Sequence, residues 1–261
     1  MSTNINWPHS QVAEDLARLR QAAPLTQCVT NIVVAGFTAN VLLAVGASPA
    51  MVDALDEIPE FVPIAQGLLV NIGTLANDTP RAAVRAAAVA RASGTPWVLD
   101  PVAAGATKFR SALVTEILEH RPTVIKGNAS EILALAGAQG GGKGPDSTAD
   151  SADAVPAAIT VARQTDAVVA ITGVVDYATD GAEVVAVPGG HDLMPRVTGT
   201  GCSLGGVIAA FLGAGADPLR ATVAGLAVFA AAGERASQGA AGPGSFAAAF
   251  LDELYRIGTE W

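Results

Sequence analysis

Two cysteines in 261 residues, Cys28 and Cys202, are too few to staple a disulfide scaffold. Basic residues are scarce too: 15 Lys and Arg against 24 Asp and Glu leave a formal net charge of -9. With no basic stripe to displace counterions, a nucleic-acid partner is excluded, and any nucleotide must be held locally by amides, a few cations and a metal. Long apolar runs are missing as well. Although 51% of the residues are hydrophobic, they fall in short alanine- and valine-rich stretches, none near the ~18 uninterrupted apolar residues of a membrane helix. The N-terminal residues lack the basic patch, apolar core and small-residue cleavage site of a signal peptide, so the expected compartment is the cytoplasm. His9, His120 and His191 do not have the spacing of a metal site.

What the chain does have is an alternation of short β-rich runs with longer helical ones. Strands are expected at 27–31, 68–71, 97–100, 123–126 and 167–172, and helices at 33–45, 79–92, 110–119, 129–135 and 155–164. A hairpin is expected from 176–179 and 183–187 around Asp180-Gly181-Ala182, followed by a helix-rich final third. The pattern predicts one α/β domain over 1–261, a mostly parallel sheet flanked by helices on both faces. Residues 137–154, rich in glycine, serine and aspartate, break the rhythm and read as a flexible surface loop.

The most informative stretch is Val197-Thr198-Gly199-Thr200-Gly201-Cys202, which delivers a cysteine to the start of an apolar helix. The amides of a first helical turn and the helix dipole favour an anion, and glycines let a phosphoryl group approach the main chain. Gly199, Thr200, Gly201 and Cys202 therefore form a candidate anion hole with a proton acceptor beside it. The same dipole is expected to lower the thiol pKa of Cys202. A glycine-rich strand-to-helix turn with a small buried cap residue has the same sequence pattern.

In open α/β sheets, ligands sit beyond the carboxyl ends of the strands. Asp100 ends the run Trp97-Val98-Leu99 and could reach Mg2+, or, preceding Pro101, could simply start a turn. Lys126-Gly127-Asn128-Ala129-Ser130-Glu131 offers a cation for phosphate and a carboxylate for magnesium; taken alone, Asn128 and Glu131 make a capping box that needs no ligand. Thr172 ends another strand with a hydroxyl, Thr30-Asn31 and Asn71-Ile72-Gly73-Thr74 are similar strand-end clusters, and Met51 is either core or a soft contact for a small ring.

Together, Ala-Ser-Pro-Ala-Met at 47–51, Asn-Ile-Gly-Thr-Leu at 71–75, the Leu-Asp-Pro segment from Leu99, Ile-Lys-Gly-Asn-Ala-Ser-Glu at 125–131 and Val-Thr-Gly-Thr-Gly-Cys at 197–202 resemble, in order and spacing, the hydroxyethylthiazole kinases. Ribokinase-like relatives usually carry aspartate where Cys202 ends the glycine turn. The resemblance implies a ribokinase-like three-layer sandwich and ATP-dependent phosphorylation of the primary alcohol of 4-methyl-5-(2-hydroxyethyl)thiazole, toward thiamine. It further implies a homotrimer with active sites between subunits. Met51, from a neighbouring subunit, and Gly199 would touch substrate, Lys126 and Thr172 would touch ATP, Asp100 and Glu131 would organise Mg2+, and Cys202 would be the catalytic base. Many such proteins have arginine in place of Lys126, which loses a bidentate fork. A hydroxymethylpyrimidine kinase of the same fold and a non-catalytic nucleotide sensor are the competing readings.

Overall fold

The computed structural model describes residues 3–137 and 150–259. In chain order the elements are β1 (Thr3–Asn4), α1 (Ser10–Ala22), β2 (Leu25–Val29), α2 (Ala35–Val45), β3 (Ser48–Ala50), α3 (Ile58–Phe61), β4 (Gly67–Asn71), α4 (Thr79–Ser93), β5 (Trp97–Asp100), α5 (Lys108–Leu118), β6 (Val124–Asn128), α6 (Ala129–Leu135), α7 (Val155–Thr165), β7 (Val168–Thr172), β8 (Val175–Thr179), β9 (Val184–Pro188), α8 (Thr200–Gly213), α9 (Pro218–Ser237) and α10 (Pro243–Arg256). The described strands form one sheet in the order β1-β9-β8-β7-β6-β5-β4-β2-β3, parallel throughout except that β8 runs against both its neighbours.

Both faces of the sheet are covered, which is why its central strands read as nearly continuous apolar runs. Leu69, Val98, Val124, Val168 and Ala170 share one core with the buried residues of α8 and α9. Their neighbours Leu68, Val70, Trp97 and Leu99 pack on the opposite side with α4 and α5, and Ile125, Val169 and Ile171 pack with α6 and α7. Side chains alternate between faces with a period of two. Continuing that period places Asn71, Asp100 and Lys126 on the side of Leu69, Val98 and Val124, under α8.

The expected central strands and helices are present, with ends moved by up to a few residues. β2 occupies Leu25–Val29 rather than 27–31, so Thr30 and Asn31 lie in the turn into α2. β1, α1, β3 and α3 were not legible as elements; β1 and β3 are two and three residues long, and they take their conformation from pairing with β9 and β2. Most of the loop expected over 137–154 lies outside the described residues, and its end, Ala152–Ala154, is a 3-10 turn leading into α7.

One stripe of small residues sets the height of α8 above the sheet. A Cβ on Gly205 would lie 2.8 Å from Leu69 Cδ1, and one on Gly213 would lie 3.0 Å from the Gln66 carbonyl carbon. Between them, the Ala209 carbonyl oxygen would lie 2.1 Å from a Cβ on Gly67. Residues 205, 209 and 213 are four apart, hence on one helical face. Because the obstruction at 67 is main chain, Gly67→Ala is expected to cost roughly 1–3 kcal/mol or more, read as a lower urea midpoint at unchanged m. Gly201→Ala, whose Cβ meets nothing within 4 Å, should stay within about 0.5 kcal/mol of the parent.

Candidate functional site

The site lies where α8 begins, above the carboxyl ends of β4, β5 and β6. Gly199 enters α8 with φ +98, a left-handed conformation, and a Cβ there would press on Val34 and Phe37 at 3.1–3.2 Å. Glycine is thus required at 199 for both backbone and space. Gly201 opens onto empty space, so its main chain can be approached closely. Of the expected anion-hole amides, Thr200 N–H donates to Val197 O at 3.3 Å, while those of Gly201 and Cys202 have no partner among the described residues. Of the four amides expected to meet an anion, that of Thr200 is the one already engaged among the described residues.

Beneath this turn runs a continuous polar chain. Asn31 Nδ2 donates to Asn71 Oδ1 at 2.8 Å, and lies 3.9 Å from Cys202 Sγ. Asn71 Nδ2 donates to Asp100 Oδ2 at 2.8 Å. Lys126 Nζ donates to the same oxygen at 3.0 Å and to the Gly201 carbonyl at 2.9 Å. Asp100 and Lys126 are 1% and 4% exposed, and Asp100 Oδ1 is buried with no hydrogen-bond partner. An unpartnered buried carboxylate oxygen is costly, and it is the kind of group that a cation or a hydrogen-bond donor would relieve.

Glu131 fulfils the capping expectation and more. Its N–H donates to Asn128 Oδ1 at 2.9 Å while its Oε2 accepts from Asn128 N at 2.7 Å; its other oxygen accepts from Ala103 N at 2.8 Å, in the loop after Asp100. Thr172 makes a long contact, 3.5 Å, to the Gly127 carbonyl. Met51 follows β3 at the sheet edge and packs half-buried against the main core; no hydrogen bond links it to the Cys202 cluster. His191 is exposed in its loop.

Burial dominates the site's electrostatics. It pushes the Asp100 carboxyl up, opposed by Lys126 and Asn71. Burial, then Asp100, pushes the Glu131 carboxyl up to about 7. Burial pulls the Lys126 ammonium down, but Asp100, Cys202 and Glu131 outweigh it, so the group is held above its ordinary value and stays charged. The expectation for Cys202 is corrected: burial, then Asp100, raises the thiol despite Lys126, Asn71 and Asn31. Lys126, expected to face phosphate, is committed to Asp100 and Gly201.

Three participants were not assigned from sequence. Asn31 and Asn71 were visible only as strand-end clusters, although Asn71 stands in register with Asp100. Asp176 accepts from Gly173 N at 2.9 Å; burial pushes its carboxyl up to about 7, and Lys126 acts on it electrostatically. No single-sequence signal distinguished it from a hairpin residue. Among the described residues, no three His, Cys, Asp or Glu side chains form a ready metal cluster, and no helix is long and apolar enough to cross a membrane.

The model of the Hydroxyethylthiazole kinase family matches residues 16–260. A hydroxyethylthiazole kinase of Leptospira interrogans is 56% identical over 254 residues, covering 97% of this chain and 96% of that protein. The solved hydroxyethylthiazole kinase of Pyrococcus horikoshii OT3 superposes with a TM-score of 0.88 at 43% identity, covering 95% and 94% of the two chains. A ribokinase-like superfamily protein of Enterococcus faecalis, 11% identical, shares the fold with a TM-score of 0.66 over 98% of this chain and 96% of its own.

The Glu131 shift has a definite sign. Folding favours the protonated acid, so its contribution to stability is fully present below the ordinary value of 4.5 and is lost as pH rises through about 7. The loss is at most about 3 kcal/mol. With chelator present, urea unfolding at pH 5 and 8 should show a larger decline for the parent than for Glu131→Gln; equal declines would contradict the assignment.

Proposed function

The chain belongs to the hydroxyethylthiazole kinase family, and from that premise we propose that it is an ATP-dependent kinase acting on the primary hydroxyl of 4-methyl-5-(2-hydroxyethyl)thiazole, in the cytoplasm, toward thiamine. The observation that carries the reading is the convergence of Cys202, the partnerless Gly201 and Cys202 amides and the buried Asp100–Lys126 pair on one turn. Phosphoryl transfer passes through a loose transition state, so positioning and charge stabilisation do most of the work. The Gly201 and Cys202 amides would donate to the equatorial oxygens of the transferring group, and a donor of that kind is worth on the order of 3 kcal/mol. Gly199 would allow the acceptor close to the main chain, and Lys126 and Thr172 would flank the nucleotide, Lys126 through its charge and the one N–H that it does not give to Asp100 or Gly201.

Cys202 would take the hydroxyl proton as a general base without forming a phosphocysteine. A thiol held above its ordinary value is seldom ionised, but the thiolate is then a stronger base, and a loose transition state releases the proton late. The residues suit Mg2+: Asp100 presents a buried oxygen without a partner, and its charge raises the proton affinity of Glu131. A divalent cation held there would relieve that repulsion and neutralise phosphate charge.

We further propose a homotrimer with the site completed between subunits. Ile32 and Val33, beside Asn31, are 81% and 66% exposed, large apolar side chains that their own chain leaves uncovered, and Met51 would contact the thiazole from the neighbouring subunit. Sedimentation should then give three times the chain mass of 26.1 kDa, and Ile32→Asp should give smaller species with weakened thiazole binding; a monomeric parent would refute the shared site.

The reaction is tested by ADP release from Mg-ATP with the thiazole alcohol, with hydroxymethylpyrimidine and with no acceptor. Turnover with the thiazole alone is expected; turnover with the pyrimidine reassigns the acceptor, and ATP binding without turnover favours a sensor. In the same assay Cys202→Ala should lose most activity and Cys202→Asp retain it. The parent rate should climb with pH above neutrality more steeply than that of Cys202→Asp, because a carboxylate ionises at lower pH than a thiol in the same surroundings. An alanine variant as fast as the parent would remove the base role.

A further inference from the structure

We propose that Arg110 is a positioning residue of this site, tying the turn after β4 to the turn after β5 so that Asn71, Asp100 and Glu131 keep one fixed geometry. Its guanidinium donates from Nη1 to the Ile72 carbonyl at 2.6 Å and the Val102 carbonyl at 2.9 Å, and from Nη2 to the Gly73 carbonyl at 2.8 Å. All three acceptors are main chain, and they belong to two different loops. Otherwise these loops meet through Ile72 N, which donates to the Asp100 carbonyl at 3.3 Å.

Each acceptor lies one step from a side chain of the site. In the first loop, Gly73 N donates to Asn71 Oδ1 at 2.9 Å, orienting the amide whose Nδ2 holds Asp100. A Cβ on Gly73 would come within 2.5 Å of Asn31 Nδ2, so this peptide lies directly against the Asn31–Asn71 pair. In the second loop, Val102 precedes Ala103, whose N–H holds Glu131 Oε1. Arg110 itself is fixed at the start of α5, where its N–H donates to Thr107 Oγ1 at 3.2 Å. It makes no salt bridge within 4.0 Å among the described residues, although the Glu131 charge acts on it. Its geometry is that of a planar fork spanning three carbonyls, which the single ammonium of lysine cannot reproduce.

This role rests on the assignment of the site above, and the test separates the two. Arg110→Ala and Arg110→Lys are compared with the parent for kcat, for KM of the thiazole alcohol, and for the rate at which iodoacetamide alkylates Cys202. Cys28, 1% exposed and pushed by burial up to about 12, stays silent in the alkylation. Misplacement by about 1 Å costs on the order of 100-fold, so Arg110→Ala should lose kcat on that scale with KM for the alcohol little changed. Cys202 should alkylate faster, because the Asp100 carboxylate is no longer held beside the thiol. Millimolar guanidinium chloride, but not sodium chloride, should reverse part of both changes, and Arg110→Lys should be intermediate. A folded Arg110→Ala protein with the parent's kcat and alkylation rate would overturn the proposal, as would losses that guanidinium leaves untouched. If Arg110→Ala fails to fold, Arg110→Lys decides alone: a lowered kcat with retained KM supports the role, and the parent's kcat overturns it. Should the parent itself turn over no thiazole alcohol, the functional reading fails, while the alkylation rates and their rescue still decide the role of Arg110.

Discussion

The Lys126 ammonium bonds at once to a side chain of β5 and to the main chain of α8, and the arrangement of the site depends on that double contact. It joins the three pieces that the chemistry needs: the end of one strand, the middle of the next and the first turn of the helix above them. A buried pair of this kind adds little net stability, since desolvation consumes most of the attraction, but it is severe against any arrangement that leaves one partner alone. Its value lies in selecting one register of α8 over the sheet. The small-residue stripe at Gly205, Ala209 and Gly213 does the same by contact instead of charge, allowing the helix to come down until main chain meets main chain.

Within this frame the site concentrates negative groups around a buried cation. Asp100, Glu131 and Cys202 all resist ionisation, each for the same first reason, loss of water, and for Glu131 and Cys202 the second reason is Asp100. Such a cluster gains from any cation added to it and from any hydrogen-bond donor directed at it. Asn31, Asn71 and the amides of Ala103 and Asn128 supply donors from the protein itself.

Much of this was legible in the residues. The strands 97–100 and 68–71 were readable from their apolar runs, Asp100, Glu131 and Cys202 from their places at the ends of elements, and Lys126 as a cation late in a strand that runs two residues beyond its expected end. The glycine turn announced a helix N-terminus. Less visible was how those groups use one another. Nothing in the local pattern around Lys126 shows that its partners are 26 and 75 residues away, and nothing around Cys202 shows that burial and Asp100 raise its thiol. Arg110 is the extreme case, because its acceptors are carbonyls, which every residue has, and only the folding of two loops onto α5 selects them. Asp176 escaped for a related reason: its place beside Gly173 follows from the reversal of β8.

The sheet's two borders impose a separate condition. Among the described residues, one is β1, with two residues, and the other is β3, with three, the middle one Pro49, which has no N–H to offer. A strand arriving from another molecule would find almost no ladder to continue. Short borders of this kind disfavour growth of the wide, apolar sheet by backbone pairing, the route by which exposed edges turn into fibrils. Copies of this chain that meet are left to recognise one another through side chains, where a single substitution can discriminate.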